Sequence, residues 1–211
     1  MSDVRTREQI AAAGKSLFER GLSVGSAGNL SVKLDDGWLM TPTNVSLGRL
    51  DPSRLARLDT KGRAIAGDQP TKEAALHIAM YEARQSCGAI VHLHSTHSVA
   101  VSCLAEIDPD DVLPPITAYF VMRVGKLKLL PYFPPGDPAL AAAIGAVAAK
   151  HSAVLLANHG PVVAGTSLEA AMNAAEELEE TARLYLLLHG RPTRFLTSEQ
   201  VQALALKYPI P

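Results

Sequence analysis

The sequence holds little that would tie it to a membrane, a nucleic acid or an oxidising compartment. Its most apolar run, Pro138 to Ala149, is shorter than the about 20 residues a helix needs to cross a bilayer. The opening residues, Met1 to Arg5, carry no apolar signal core, so export is not expected. Neither sign of charge predominates: 20 Lys+Arg stand against 21 Asp+Glu, for a net charge of -1. No global basic field draws the chain to nucleic acid or to anionic lipid, and an anionic ligand must be held by local donors. The two cysteines, Cys87 and Cys103, lie in apolar stretches without metal or redox spacing. That usage excludes a disulfide framework and reads as a reduced, cytoplasmic setting. Aromatic residues make up only 5%, so the core is expected to be aliphatic and Ala-rich. No internal repeat and no low-complexity linker interrupts the chain.

What remains is a globular composition. Hydrophobic residues account for 47% of 211 and charged residues for 19%. This reads as one domain over 1–211. The apolar spacing of Ile10, Ala13, Leu17 and Phe18 predicts a helix over 4–20, ending at Gly21. A Gly/Ser segment, 23–29, leads into a hairpin, 30–34 and 38–40, about an Asp36-Gly37 turn. A weaker hairpin is expected over 55–59 and 63–65. Thr71 is placed to cap a helix over 72–84. The β-branched run 89–94 reads as a buried strand, followed by a helix over 95–104, a loop over 108–115 and a strand over 127–130. Asp137-Pro138 is a helix N-cap with Pro at the first helical position. A buried strand over 154–157 is broken at 158–161. Ser167 caps a long helix to His189 whose Glu176, Glu177, Glu179 and Glu180 fall mostly on the solvent side. A last short helix covers 198–206. Hairpins mixed with helix-flanked strands predict an α/β domain with a mixed sheet between helices.

Three regions carry chemistry. In His92-Leu93-His94 the two imidazoles are at i and i+2, on one face of a strand. Neutral imidazoles paired at a strand end suit a divalent metal, and the alternative is two hydrogen-bonded core histidines. His159 ends a second apolar strand, and three histidines from two strand ends leave a coordination position open, as catalytic sites do. His97 competes for the role but reads as structural, and His77, His151 and His189 read as poorer candidates. Glu73, at a helix start, reads as a dipole-favourable carboxylate or as a ligand and general base beside the metal. The third region is the set of polar turns at 25–29, 43–44 and 71, which could converge on an anion, although no spacing rule requires it.

The ordered blocks Gly-Asn-Leu-Ser-Val (28–32), Thr-Pro-Thr (41–43), Pro-Thr-Lys-Glu (70–73), His-Leu-His-Ser-Thr-His (92–97) and Asn-His-Gly (158–160) resemble the class II aldolase/adducin family over most of the chain. The resemblance implies a three-layer α/β/α sandwich around a central, largely antiparallel mixed sheet, assembled as a homotetramer with intersubunit active sites. It implies that His92, His94 and His159, with Glu73, hold Zn2+ or another divalent metal such as Mn2+ or Co2+. Glu73 would also be the acid/base, and Tyr119 a catalytic tyrosine reaching a neighbouring subunit's site. Without the resemblance Tyr119 reads as a half-buried loop residue. Gly28, Asn29, Thr43, Asn44 and Thr71 fall on the family's phosphate-binding blocks. Where the sugar-phosphate aldolases have Ser-Ser-Glu, this chain has Thr71-Lys72-Glu73. Lys72 is either an exposed helix-start lysine or a partner for a substrate carboxylate or phosphate. A carboxylated substrate implies metal-dependent decarboxylation of a 3-oxo-tetronate 4-phosphate to dihydroxyacetone phosphate and CO2 through a zinc-stabilised enediolate. The alternatives are a zinc-dependent sugar-phosphate aldolase of the fuculose-phosphate type and a non-catalytic adducin-like interaction module.

Overall fold

The structure, a computed structural model, describes residues 3–211. Met1 and Ser2, where the chain was read as lacking a signal core, lie outside the described residues. Among the described residues the chain forms seven α-helices and a single sheet of eight strands. The strands are β1 (Asn29–Leu34), β2 (Gly37–Met40), β3 (Ala56–Leu58), β4 (Ala64–Ala66), β5 (Ala89–His92), β6 (Lys128–Leu130), β7 (Ala153–Leu156) and β8 (Gly160–Gly165). Their order is β4-β3-β2-β1-β5-β8-β7-β6. Every pairing is antiparallel except β6 with β7.

Both faces of this sheet are covered, and strand alternation decides which residue serves which face. Leu30, Leu39, Ala89, Val91, Leu155 and Val163 point to one side. There they pack against α1 (Asp3–Glu19), α3 (Thr96–Ser102), α4 (Ala118–Arg123) and α6 (Leu168–Leu188). Met40, Ile90, Val154, Leu156 and Val162 point to the other, against α2 (Ala74–Ala83) and α5 (Pro138–Ala148). Each fully buried Leu or Ile contributes about 1.5–3 kcal/mol relative to exposure. The result is the expected three-layer α/β/α sandwich with a largely antiparallel mixed sheet. Asp137 caps α5, accepting from the Ala139 N–H at 2.9 Å, and Ser167 caps α6, accepting from Ala170 at 3.1 Å. The last helix, α7 (Ser198–Lys207), starts with a reciprocal Thr197/Gln200 capping box.

The structure departs from the sequence reading at several points. α2 begins at Ala74 rather than 72, with Glu73 at its N-cap and no side-chain cap. Thr71 instead accepts from the Glu73 N–H at 3.3 Å, and this turn keeps Glu73 out of the helix. β5 ends at His92, so His94 lies beyond the strand. Residues 160–165 form β8, so the break expected over 158–161 is only a turn over 157–159: Gly160 and Pro161 stand at the start of the strand, where proline is tolerated. A six-residue helix, α4, replaces the loop around Tyr119. It is capped by the Thr117 hydroxyl and is too short for periodicity to reveal.

Glu179 is the largest reversal. It is only 7% exposed, not on the solvent face. Its carboxylate accepts from the backbone N–H groups of His97 (2.8 Å) and Ser98 (2.9 Å), from the Ser98 hydroxyl (2.7 Å) and from His97 Nδ1 (2.8 Å). An α6 side chain thus caps the N-terminus of α3, and His97 is structural, as read. Burial pushes the Glu179 carboxyl up, and the donors from Ser98 and His97 outweigh that and hold it below its ordinary value near 4.5. A depressed carboxyl stabilises the fold above its ordinary pKa and loses that contribution as pH falls through the folded value. Glu179→Gln is therefore expected to cost about 2–3 kcal/mol at neutral pH, as for a lost charged hydrogen-bond set. Denaturant titrations should show this deficit shrinking below pH 4.5. A deficit that is constant with pH would mean that packing, not charge, is lost.

Candidate active site

The site forms where β1 and β5 lie side by side and α2 begins. The antiparallel register places Asn29 opposite His92, and both point toward the α2/α5 side. The chain must pass very close here. A Cβ on Gly28, whose φ is +81°, would lie 2.9 Å from the His92 carbonyl oxygen. One on Gly160, at φ +148°, would lie 2.2 Å from the Leu93 carbonyl oxygen. Only glycine satisfies both the positive φ and the close approach. Asn44 and Asn158 also adopt positive φ, at 58° and 55°, a conformation asparagine tolerates and one found at functional turns.

Four side chains converge, three of them buried and His94 partly so: Glu73, His92, His94 and His159, whose potential ligand atoms lie within 4.8 Å of one another. His92 Nε2 is 3.2 Å from Glu73 Oε2, and His159 Nε2 is 3.3 Å from Glu73 Oε1. His94 Nε2 is 3.2 Å from His92 Nε2 and 3.1 Å from His159 Nε2. His92 Nδ1 donates to the Pro161 carbonyl oxygen at 2.8 Å, which leaves the Nε2 lone pair directed at the cluster.

Burial pushes the Glu73 carboxyl up, but His92, Asn29 and His159 together hold it well below the carboxylate range. Burial lowers His92, and the Glu73 carboxylate more than restores it, so its pKa is raised. Burial and the neighbouring imidazoles lower His94 to about 4, and burial with His92 lowers His159 to about 4. Both rings are thus neutral at neutral pH, the form that ligates metal.

The donor set fits a first-row divalent ion. Glu73 Oε1 is buried with no hydrogen-bond partner. The Nε2 separations of 3.1 and 3.2 Å are close to the edge of about 3.3 Å expected for tetrahedral ligands at about 2.0–2.1 Å. Three imidazoles and a carboxylate are borderline ligands that suit Zn2+, Co2+ or Mn2+.

A cavity opens over this cluster. Its walls include Gly28, Asn29, Thr43, Asn44, Thr71, Lys72 and Glu73, with His94 and His159. The three polar turns of the sequence therefore do converge, although nothing in their spacing required it. His92 is fully buried beneath. Tyr119 stands apart: it lies on α4, 58% exposed, with the Arg123 guanidinium 5.5 Å from its ring centroid. It is thus neither in a loop nor half-buried, and it lines no wall of this chain's cavity. A second opening beside His94 and His159 is lined by Asn158 of the Asn-His-Gly block and by Tyr132 and Pro135, which the sequence reading did not single out.

It also missed what lies behind Glu73. Asn29 Nδ2 donates to Glu73 Oε2 at 2.8 Å. Asn29 Oδ1 is 2.5 Å from Nε2 of His77, a fully buried histidine read as a poor candidate. Burial, with His92 nearby, lowers His77 to about 3, so it is neutral.

Residues 8–186 match the model of the class II aldolase and adducin N-terminal domain family. Over 97% of this chain and 98% of its own, the 3-oxo-tetronate 4-phosphate decarboxylase of Haemophilus influenzae is 49% identical. The L-fuculose phosphate aldolase of Escherichia coli is 32% identical over 89% of this chain and 86% of its own. Among solved structures, YgbL from Klebsiella pneumoniae superposes with a TM-score of 0.94 at 48% identity, covering 97% of this chain and 99% of that one.

Proposed function

Because this chain belongs to the class II aldolase and adducin N-terminal domain family, we propose that it is a carboxy-lyase that converts a 3-oxo-tetronate 4-phosphate to dihydroxyacetone phosphate and CO2. The observation that carries the reading is one cavity that joins a metal-competent cluster to three donor-rich turns. The decarboxylase relative at 49% identity supports this reaction over aldol cleavage, whose relative stands at 32%.

In this reading Gly28, Asn29, Thr43, Asn44 and Thr71 hold the phosphate, through backbone N–H groups and short polar side chains. They fix the substrate with its C2 and C3 oxygens toward His92, His94 and His159. His92, His94 and His159 would hold a divalent ion, zinc in our reading, and it would supply Lewis-acid charge for the C3 ketone. The C1–C2 bond breaks, and its electron pair becomes the C2–C3 double bond of an enediolate. Glu73, ionised at rest, takes the C2 hydroxyl proton as the enediolate forms and delivers it to C2, and the C2 oxygen regains a proton from solvent. Such positioned proton transfer contributes about 10²–10⁴-fold. Lys72 pairs with the departing carboxylate. The whole chain acts as one domain, in the cytoplasm, as a homotetramer. Tyr119, exposed and off its own chain's cavity, serves the site of a neighbouring copy. No helix among the described residues is long and apolar enough to cross a membrane.

Assaying the purified chain with each C2 epimer of the substrate for triose phosphate and CO2 tests the activity. Aldehyde release without CO2 would replace it with aldol cleavage. Lys72→Ser tests the carboxylate contact. We expect KM to rise about tenfold or more, while stability changes by about 0.5 kcal/mol or less, as for an exposed side chain. Unchanged kinetics would return Lys72 to the solvated surface.

A further inference from the structure

Behind Glu73 runs a buried chain of hydrogen bonds whose members beyond Asn29 have no role given above. Glu73 at the N-cap of α2, and His77 and Tyr81 inside it, stand at i, i+4 and i+8, in one line down the helix. Asn29 and Ser31 stand at i and i+2, on one face of β1. The two periods interdigitate. Tyr81 OH is 2.9 Å from Ser31 Oγ, and Ser31 Oγ is 2.7 Å from His77 Nδ1. His77 Nε2 is 2.5 Å from Asn29 Oδ1, and Asn29 Nδ2 is 2.8 Å from Glu73 Oε2. His77, Ser31 and Tyr81 are all buried.

The direction of every bond follows from its end. An ionised carboxylate only accepts, so Asn29 must turn its NH2 toward Glu73 and its carbonyl toward His77. A carbonyl only accepts, so His77 carries its proton on Nε2. A neutral imidazole then has its lone pair on Nδ1, so the Ser31 hydroxyl donates to it and accepts in turn from Tyr81. Reversing Asn29 would set two acceptors against each other at Glu73. The donor chain therefore ends on Oε2 alone and leaves Oε1, buried and without a hydrogen-bond partner, beside His159.

We propose that His77 is a positioning residue that, through Asn29, pins Glu73 Oε2 and so reserves Oε1 for the metal and the substrate. This rests on the metal-dependent reading of the site, and it gives the two carboxylate oxygens different work. His77→Leu frees the Asn29 amide to rotate, whereas His77→Gln can still offer an N–H to it. Outer partners of ligating groups are typically worth about 10–100-fold in metal affinity or activity.

The test begins with metal-free chain titrated with Co2+ and followed by visible absorption, with circular dichroism and thermal unfolding on each variant. His77→Leu is expected to bind Co2+ about tenfold more weakly and to lose about 10–100-fold in kcat with KM within about twofold. His77→Gln should recover both to within about threefold, a rescue that a purely space-filling histidine would not give. If His77→Leu does not fold, Ser31→Ala, which breaks the same chain one bond earlier, should show the smaller loss in the same direction. Wild-type Co2+ affinity in His77→Leu would overturn the proposal, as would a folded His77→Gln that is no better than His77→Leu. The Co2+ arm needs no substrate. A wild-type chain that binds Co2+ but releases no CO2 would overturn the proposed reaction and leave the positioning claim to be judged on its own titration.

Discussion

Glu73→Gln is expected to bind one divalent ion per chain at saturating metal and to lose about 10²–10⁴-fold in turnover. The substitution keeps the size of the side chain and the Asn29 contact, but removes the proton-exchanging group. The three histidines remain to hold the ion. Affinity for the ion should weaken, because Glu73 Oε1 no longer offers its charge beside His159. Elemental analysis and kcat on the same preparation separate the possible roles. Loss of the ion even at saturation would make Glu73 chiefly a ligand. A nearly silent change would leave it only the about 0.3–1 kcal/mol of a carboxylate at a helix start, and would remove it from the chemistry.

His94→Ala should have the other large effect. His94 lies beyond the end of β5 and is only partly buried, so its removal leaves the sheet and the His92–Pro161 hydrogen bond in place. The wild-type chain is expected to carry about one ion, as catalytic sites do. The variant should carry almost none and show no measurable turnover, with an unchanged circular dichroism spectrum. His92→Ala should behave alike at the site, but it empties the fully buried floor of the cluster and adds a stability loss. A wild-type chain without metal, active in the presence of chelator, would sink the metal-dependent account.

Particular residues show how far the sequence could be read. His92 and His94 were legible from their i, i+2 spacing and the family blocks, His159 from the end of an apolar strand and the blocks, and Glu73 from the blocks alone, and the fold then sets the four within 4.8 Å. A mixed sheet between helices was legible because buried β-branched runs alternate with capped helices such as those begun by Asp137 and Ser167, and the family resemblance implied the three-layer sandwich. Strand β8 was hidden by Gly160-Pro161, which resemble a break until the register shows that they begin a strand. Glu179 was hidden among four glutamates of α6, because its helix gives no sign of the α3 N–H groups that claim it. The convergence of Gly28, Thr43 and Thr71 was raised by their donor-rich turns and the family blocks but required by no spacing, since a cavity assembled from three distant turns has no local signal. The His77 chain had a signal that went unused: a polar stripe at i, i+4 and i+8 opposite a polar i, i+2 pair on β1.

One labelled turnover shows whether the site breaks the bond to a carboxylate and delivers a proton to the carbon left behind. Substrate carrying 13C at C1 is incubated in D2O with the metal-loaded chain, and the products are read by NMR. The account predicts labelled CO2 and unlabelled dihydroxyacetone phosphate, with one deuterium on its hydroxymethyl carbon. Label retained in an aldehyde or an unreacted acid, or triose phosphate formed without CO2, would contradict it.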